Sequence, residues 1–296
     1  MLKHLNKTKI KPTRVVVLGS QGFVGRYALR QLKSEGIEAV GISKNEVNLL
    51  HVDAEKILLE KLNLQDTLVV VSALAPCKNT AMLIDNLRMM QIVGNVIEKI
   101  SLSHVVYISS DAAYADDITL ATEDSVTAPT SFHGMMHSCR ELILKQAAKK
   151  TPLAILRPSL LYGRGDPHHG YGPNRFIRLA EKNEPIVLFG NGEEKRDHVF
   201  ICDVAHIIAL VVQHRSEGIL NLASGHAYSF REIAEIVLSE IECVSEIQAT
   251  PRNNPIMHRH FNIAALYKAF PAFQPTQFKM GLKQVLQQST LSMETT

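Results

Sequence analysis

The chain has 296 residues and a formal net charge of +3 at pH 7, with 46% hydrophobic and 21% charged residues. This composition is ordinary for a soluble globular protein, and the length suits one large α/β unit or two lobes that share a core. Basic and acidic residues are interspersed, which argues against nucleic acid as a partner, and no apolar run is long enough to span a membrane.

The cysteines lie far apart and form no CxxC pair; they are Cys77, Cys139, Cys202 and Cys243. This spacing is typical of reduced thiols rather than of a disulfide framework or a cysteine-based zinc site, so we expect a cytoplasmic protein. Residues 1–11 are basic but lack the apolar run of a signal peptide. We expect them to form a short frayed extension.

The first half of the chain alternates short apolar runs with longer amphipathic stretches, which is the pattern of successive βαβ units. We predict strands over residues 14–19, 39–43, 67–73, 104–109 and 153–157. We predict helices over residues 23–34, 55–62, 81–100 and 132–150. This order predicts an α/β fold of the Rossmann type, with a doubly wound parallel sheet.

The pattern changes after residue 157, where residues 162–173 are rich in glycine, proline and histidine and predict a loop. Helices are predicted over residues 174–182, 203–214, 229–241 and 280–287, strands over 186–189 and 220–223, and a tail over 251–275. We therefore predict a dinucleotide-binding domain over residues 13–163 and a mainly substrate-binding, smaller lobe over residues 164–296. Residues 197–224 are expected to fold back onto the first domain, with a ligand cleft between the lobes.

A glycine-rich segment follows the first strand and opens the first helix, with Gly19, Gly22 and Gly25 in the spacing GxxGxxG. Such glycines permit a tight turn, a close approach of the backbone to a pyrophosphate, and close packing of the helix on the strand. The alternative is a glycine-rich turn without a ligand. We predict a dinucleotide site here, and the candidate cofactor residues are Gly19, Gln21, Gly22, Phe23, Val24 and Gly25.

The end of the second strand bears on the choice of cofactor. NAD-preferring folds usually have an acidic residue there, which bonds the ribose 2′-hydroxyl, but this chain has Ser43 and Lys44. A serine and a lysine can accept a 2′-phosphate, and Arg26 lies just past the glycines. We therefore predict NADP as the preferred cofactor, with NAD as the other option. The alternative for Lys44 is an ordinary solvated lysine beside Glu46.

Further segments occur in a fixed order. Residues 108–114 read ISSDAAY, residues 156–163 read LRPSLLYG, and residues 196–205 read RDHVFICDVA. With the glycine spacing, they resemble the SSxxxYG, RPxxxYG and RDxxxxxDVA segments of extended short-chain dehydrogenases/reductases, the nucleotide-sugar epimerase/dehydratase family. The resemblance covers about residues 13–286 and implies NAD(P) as cofactor and a nucleotide sugar as substrate.

The resemblance also implies roles for individual residues. Ser110 matches the serine that bonds the substrate oxygen, and Asn86 matches an asparagine of the central helix that would support the proton network. Pro158 lies in the segment along the nicotinamide. The small-residue strand end beside the cofactor is matched by Ala73, Leu74 and Ala75.

One segment departs from the family pattern. The family signature YGxxKxxxE is matched by HGMMHSCRE at residues 133–141, so His133 replaces the catalytic tyrosine and His137 replaces the lysine. An imidazole has an ordinary pKa near neutrality and does not need the cationic help that a phenol needs. We predict that His133 is the acid/base and that His137 is its partner or a ribose ligand. Arg140 is a candidate source of the lost positive charge.

Two other interpretations of the histidine pair stay open. One is loss of catalysis with cofactor binding retained, because a histidine is shorter than a tyrosine. The other is a zinc half-site at spacing i,i+4, completed by His168, His169 or His198. No carboxylate or cysteine has a suitable spacing, so we predict no metal.

The loop over residues 163–176 matches the segment with which the family grips substrate, and this resemblance implicates Asn174 and Arg175. Arg196 matches the family position that contacts a pyrophosphate, and arginine suits bidentate phosphate contact. We predict an NAD(P)-dependent oxidoreductase or epimerase/dehydratase for a nucleotide-sugar-like small molecule, as a possible homodimer without nucleic-acid or membrane partners. The alternative is a catalytically weakened dinucleotide-binding module that acts as a sensor or scaffold.

Overall fold

The computed structural model describes residues 1–168, 170–253 and 255–293, with side chains up to residue 287. Its strands are β1 (Lys3–His4), β2 (Arg14–Leu18), β3 (Ala39–Ile42), β4 (Asp66–Val70), β5 (His104–Ile108), β6 (Leu120–Ala121), β7 (Leu153–Pro158), β8 (Leu160–Tyr162), β9 (Ile186–Phe189), β10 (Lys195–Phe200), β11 (Ser216–Leu222), β12 (Ala227–Ser229), β13 (Ile247–Thr250) and β14 (His260–Phe261). Its α-helices are α1 (Phe23–Ser34), α2 (Ala54–Lys61), α3 (Thr80–Lys99), α4 (Phe132–Ala147), α5 (Pro173–Glu181), α6 (Ile201–Gln213), α7 (Phe230–Ile241), α8 (Ala264–Ala269) and α9 (Phe278–Met293).

A seven-stranded sheet forms the centre of the fold, in the order β1-β11-β7-β5-β4-β2-β3. Neighbouring strands are parallel except for β1, which runs antiparallel to β11. The chain passes from β2 to β3 on one side and then to β4 on the other side of β2. The strand order therefore reverses at the carboxyl ends of β2 and β4, where doubly wound sheets bind their ligands.

Helices cover both faces of this sheet. On one face α1 and α6 contribute Leu32 and Ile208 to a buried apolar cluster, and on the other face α3 and α4 contribute Met90 and Leu144. Strands buried on both sides must be apolar throughout, which explains the continuous apolar runs of the first half. The predicted α/β doubly wound fold is confirmed.

The second half of the described chain adds smaller sheets, in the orders β12-β10-β8, β13-β9 and β14-β6. Phe176, Leu188, Phe230 and Leu282 belong to a separate apolar cluster that joins α5, α7 and α9 to these strands. Strand β11 also lies in the second half of the chain, but it pairs with β7 in the large sheet. The division into domains at residues 13–163 and 164–296 stays a prediction.

The expectation of a frayed extension over residues 1–11 is wrong. Lys3 and His4 form β1, which pairs with Glu217 and Ser216 of β11. The His4 ring bonds Ser216 Oγ at 2.7 Å and the Ala269 carbonyl at 2.8 Å, partners that lie 212 and 265 residues away. No local sequence pattern reveals partners at such separations, so a two-residue strand could not be predicted.

Two other differences have the same cause. Residues 195–200 form β10, whose polar sequence KRDHVF does not resemble a strand but pairs with β8 and β12. Within the predicted tail, residues 251–275, the structure has β14 and α8.

Within the described ranges, no helix combines the length and the apolar character that crossing a bilayer requires.

Candidate active site

The glycine-rich turn lies at the reversal of strand order. Gly19 has φ of +95°, and a Cβ on it would lie 2.7 Å from the backbone nitrogen of Ser72. A Cβ on Gly25 would lie 2.3 Å from the Gly19 carbonyl oxygen. Helix α1 starts at Phe23, and no described side chain caps its first N–H groups. The turn is therefore closely packed, and the start of α1 offers free donors to an anion.

The carboxyl end of β3 contains a carboxylate that the sequence interpretation did not place in the site. One Glu46 oxygen accepts hydrogen bonds from the Ser43 backbone N–H and from the Ser43 hydroxyl, each at 2.8 Å. These bonds lower the pKa of Glu46. The i,i+3 spacing of serine and glutamate was the available signal, because it resembles a capping pattern.

A cavity of about 190 Å³ opens beside this strand end, between β3 and β4. It brings together seven of the predicted cofactor residues: Gly19, Gln21, Gly22, Ser43, Lys44, Ala73 and Leu74. Ala73 lines both this cavity and a larger one of about 570 Å³. The two cavities thus adjoin each other across the glycine-rich turn.

The larger cavity collects most of the remaining predicted residues. Its lining includes Gly22, Phe23, Val24, Gly25, Ala75, Ser110, His133, His137, Pro158 and Asn174. Asn174 also orders the loop, because its side chain accepts the Gly163 N–H at 2.9 Å and donates to Asp166 at 3.0 Å. The histidines at the tyrosine and lysine positions therefore share one cavity with Ser110 and the glycine-rich turn.

Three predicted residues line neither of these two cavities. Asn86 is fully buried and bonds the Leu74 N–H, the Leu74 carbonyl and the Met82 carbonyl, so its side chain holds the chain after β4 in place. Arg175 is exposed. Arg196 lies in a neighbouring cavity, described below.

Local packing places His133 in the cavity that Ser110 also lines. Ser131 caps α4 by accepting the Gly134 N–H at 3.1 Å. A Cβ on Gly134 would lie 2.1 Å from the Ala112 carbonyl oxygen, so the start of α4 packs directly on the turn that follows Ser110. Only glycine permits this approach, which brings the start of α4, with His133, next to the turn that follows Ser110.

His133 is mostly buried and uncharged at neutral pH. Burial is the main cause that lowers the pKa of His133 below 6.5, with smaller effects from His168 and Arg140. Its Nδ1 accepts a long hydrogen bond, 3.4 Å, from the Cys77 backbone N–H. A neutral ring that accepts at Nδ1 carries its proton on Nε2.

His137 lies directly beside His133, with the ring centroids 4.8 Å apart and the rings edge to face. Its Nδ1 is 2.9 Å from the hydroxyl of Tyr107 on β5. Burial, His133 and Arg140 together hold the pKa of His137 well below 6.5. His137 therefore lacks the charge that the lysine has in the family pattern.

A positive charge lies near the histidines nonetheless. Arg140 is 1% exposed, and its guanidinium lies 5.3 Å from the centre of the Tyr107 ring. It donates to the Ser72 carbonyl oxygen at 2.5 Å and to the Met136 sulfur at 3.6 Å. Arg140 does not line the cavity, so its charge acts on the site at a distance.

A buried ion pair fixes α4 to β7. Both oxygens of Glu141 accept hydrogen bonds from Arg157, at 2.8 and 2.6 Å, and one also accepts the Ser109 hydroxyl at 2.7 Å. Burial opposes ionisation of Glu141, but the bonds and charge of Arg157 outweigh it and lower the pKa of the carboxyl group. This pair holds α4 in register against the sheet.

A third cavity, of about 520 Å³, adjoins the larger one through Asp111, Ala112 and Leu160. Arg196, Arg252 and Arg259 line it. The carboxylate of Glu194 accepts from Arg196 and from Arg252, each at 2.9 Å. The sequence interpretation missed Arg252 and Arg259, because their segment has no regular pattern.

The zinc alternative gains no support. Within the described ranges, no group of three or more potential metal ligands comes together. His198 lines the main cavity, but burial lowers the pKa of His198 to about 3, and its Nδ1 bonds the Arg196 carbonyl at 3.1 Å. His169, another candidate zinc ligand, lies outside the described residues.

Comparison with known proteins bears on the family of this chain. Residues 15–223 match the NAD dependent epimerase/dehydratase family. CDP-abequose synthase of Salmonella typhimurium is 28% identical over 229 residues, which are 69% of this chain and 71% of that protein.

Solved structures show the same fold. A UDP-glucose 4-epimerase from Thermotoga maritima, solved with UDP-glucose, has a TM-score of 0.82 at 18% identity, covering 95% of this chain and 99% of that one. A GDP-L-fucose synthetase from Naegleria fowleri, bound to NADP, has a TM-score of 0.83 at 18% identity, covering 99% and 98%. At these identities the likeness is one of fold.

Proposed function

This chain belongs to the NAD dependent epimerase/dehydratase family, and from that premise we propose that it is an NAD(P)-dependent oxidoreductase or epimerase/dehydratase of a nucleotide sugar. The observation that carries this proposal is the shared cavity, in which Ser110, His133 and His137 lie beside the glycine-rich turn. His133 takes the place of the tyrosine of the family pattern.

The residues present fit a nicotinamide dinucleotide. The pyrophosphate would lie against the start of α1, where Gly19 and Gly25 leave no room for a Cβ. The adenosine half would occupy the smaller cavity beside Ser43, and the nicotinamide half would reach the larger one beside Pro158. When bound, this cofactor supplies or accepts the hydride.

The chain's own residues would hold the reacting oxygen and its proton. Ser110 would bond the substrate oxygen, and the Nε2–H of neutral His133 would donate to it as negative charge develops. A neutral imidazole can polarise a carbonyl in this way when its surroundings keep it uncharged. His137 would bond the nicotinamide ribose. Asn86 would act only through the backbone that it holds.

Cofactor preference is the first prediction. We propose that NADP is preferred because Lys44 attracts a 2′-phosphate, although Glu46 bonds Ser43 nearby and repels one. Lys44→Asp should weaken NADP binding by about tenfold and favour NAD, and Glu46→Gln should strengthen NADP binding. Calorimetric titration with both cofactors measures this. The control is Lys56→Asp, which makes the same change of charge at an exposed position of α2. Tighter binding of NAD by the unmodified protein would refute the preference.

Substrate recognition is the second prediction, and its assay also tests the function. We propose that Arg196 contacts a substrate phosphate, since it lines a cavity with Arg252 and Arg259 that adjoins the proposed reaction site. Asn174 and Arg175 are proposed to contact the sugar side. The protein should convert a nucleotide hexose such as UDP-glucose in the presence of NADP or NAD, followed by NMR of the sugar.

In that assay Arg196→Ala should raise KM about ten- to a hundredfold, the effect of losing about 1.5–3 kcal/mol from a charged hydrogen bond. Arg231→Ala is the matched control, because Arg231 is partly exposed and contacts Asn191 and Glu235 outside the cavity. An unchanged KM in Arg196→Ala rejects the contact, and no conversion across a panel of nucleotide sugars counts against the enzyme.

One observation favours a second function, a dinucleotide-binding module without turnover. His137 is buried and His133 partly buried, and burial lowers the pKa of both rings, so both are neutral. Among the described residues that line the cavity, no lysine or arginine takes the place of the family lysine. Binding of the cofactor without conversion of any substrate would support this alternative.

The proposal includes a reducing cytoplasmic location and a homodimer. All the cysteines are free thiols, which supports the first point. Ile84 on α3 and Leu142 on α4 are exposed apolar side chains on adjoining helices, which supports the second point. Sedimentation velocity measures the oligomeric state.

A further inference from the structure

Tyr107 contacts His137, with the two ring centroids 6.1 Å apart, and is 1% exposed. Its hydroxyl is 2.9 Å from Nδ1 of His137, and among the described residues it has no other hydrogen-bond partner. The bond joins β5 to α4 at the floor of the larger cavity, whose lining includes His137.

The direction of this bond follows from what each group can do. If His137 donated from Nδ1, the Tyr107 hydroxyl proton would be left buried without an acceptor. If Tyr107 donates, that proton is satisfied, and only an acceptor lone pair of the phenol stays unpaired. An unpaired buried donor is the costlier outcome and is rare in proteins. Tyr107 is therefore the donor and Nδ1 of His137 the acceptor.

Neighbouring charge reinforces this arrangement. The Tyr107 phenol keeps its proton, because burial raises its pKa to about 12. The Arg140 guanidinium lies over the Tyr107 ring and opposes this shift only in part. It also disfavours a second proton on His137, as does His133. The groups that face His137 are thus Tyr107 from β5, and His133 and Arg140 from its own helix. None of these offers a negative charge that would stabilise an imidazolium.

We propose that Tyr107 is a positioning residue, which fixes His137 as the neutral tautomer with its proton on Nε2. His137 then presents a permanent N–H donor to the cavity, in place of the ammonium group of a lysine. The ligand that it would meet is a hydroxyl-bearing group, which under the proposed function is the nicotinamide ribose. Compared with the family lysine, His137 thus keeps a hydrogen-bond donor at this position but removes the positive charge.

The experiment is 15N NMR of the histidine rings in the full-length protein at pH 7, without cofactor or substrate, with His137 assigned by His137→Gln. The native protein should show Nδ1 of His137 unprotonated and Nε2 protonated. Tyr107→Phe should give a mixture of tautomers at His137. Tyr114→Phe is the matched control, because it removes another buried hydroxyl, which bonds Asn221 at 2.6 Å, and should leave the His137 signals unchanged.

Three results would each overturn the proposal: a proton on Nδ1 in the native protein, a doubly protonated His137 at pH 7, or an unaltered tautomer in Tyr107→Phe. The native spectrum alone decides the first two, even if Tyr107→Phe fails to fold. As a second measurement, Tyr107→Phe should weaken dinucleotide binding about three- to tenfold, the effect of one misplaced hydrogen bond, and Tyr114→Phe should not. If the native protein binds no dinucleotide, the proposed function fails while the tautomer result stands.

Discussion

Replacing His133 by phenylalanine is expected to lower turnover by about 10²- to 10⁴-fold, the usual contribution of a general acid or base. Phenylalanine fills most of the space of the imidazole but has no proton to give or take. The glycine-rich turn and the β3 end do not involve position 133, so dinucleotide affinity should be unchanged. Steady-state kinetics with calorimetry separates the two effects.

The control for this variant is His206→Phe. His206 lies on α6, where its ring packs against Phe273 away from the cavity. The same change of side chain there should leave turnover intact. Full activity of His133→Phe would end the proposed role of His133.

The dependence of rate on pH tests which form of His133 acts. Burial lowers its pKa below 6.5, so the neutral ring is the form present at pH 7. If neutral His133 is the active form, turnover should stay constant from pH 8 down to about 6.5 and fall only at lower pH. A rise in turnover on acidification through that range would instead identify the imidazolium as the active form.

Restoring the family residues gives a further comparison. His133→Tyr alone should remain weak, because a phenol without a nearby cation keeps a pKa of about 10. Adding His137→Lys should improve it. Arg140 lies buried beside this pair, so the new lysine meets a like charge there, and a full family-like rate is not expected.

Replacing Glu141 by leucine is expected to lower the free energy of unfolding by about 3–5 kcal/mol, because it leaves a charged Arg157 buried without its partner. The pair is 3% and 2% exposed, and Glu141 also holds the Ser109 hydroxyl. Urea denaturation followed by circular dichroism measures the change. A loss below about 1 kcal/mol would show that the pair behaves as a solvent-screened one.

The chain supplies a matched control for this pair. Lys145 lies 3.5 Å from the same Glu141 carboxylate but is 47% exposed, so Lys145→Ala should cost less than about 1 kcal/mol. Glu141→Leu combined with Arg157→Met should be more stable than Glu141→Leu alone, since no unpaired charge is then buried.

The stability from Glu141 also depends on pH. Its pKa in the folded protein is lowered below the ordinary 4.5, so its contribution is full above that value. It is lost as the pH falls through the lowered folded-state pKa.

The sequence predicts those parts of the structure that rest on local patterns. The strands and helices between residues 14 and 158, apart from the short β6, follow from apolar periodicity, and the glycine-rich turn follows from its spacing between a strand and a helix. Gly134 and Glu141 place His133 and His137 in register, and the structure shows both on one cavity wall.

The remaining features depend on contacts between distant segments. The bond from Tyr107 to His137 joins residues 30 positions apart, and the approach of Arg259 to Asp111 joins residues 148 positions apart. Glu46 follows Ser43 by only three residues in the sequence. Whether its carboxylate bonds Ser43 nevertheless depends on the side-chain conformation of Glu46, which the sequence does not specify. Neither kind of contact leaves a periodic pattern in the chain.

The short strand β1 covers part of one edge of the large sheet. A strand edge with unpaired N–H and C=O groups can recruit a strand from another molecule and start aggregation. Strand β11 is seven residues long, and the two residues of β1 cover one end of it, with Lys3 paired to Glu217. The short, charged β1 thus offers a poor template to a second copy. Detachment of the first few residues would uncover the longer edge, so the attachment of β1 by His4 also protects the protein against self-association.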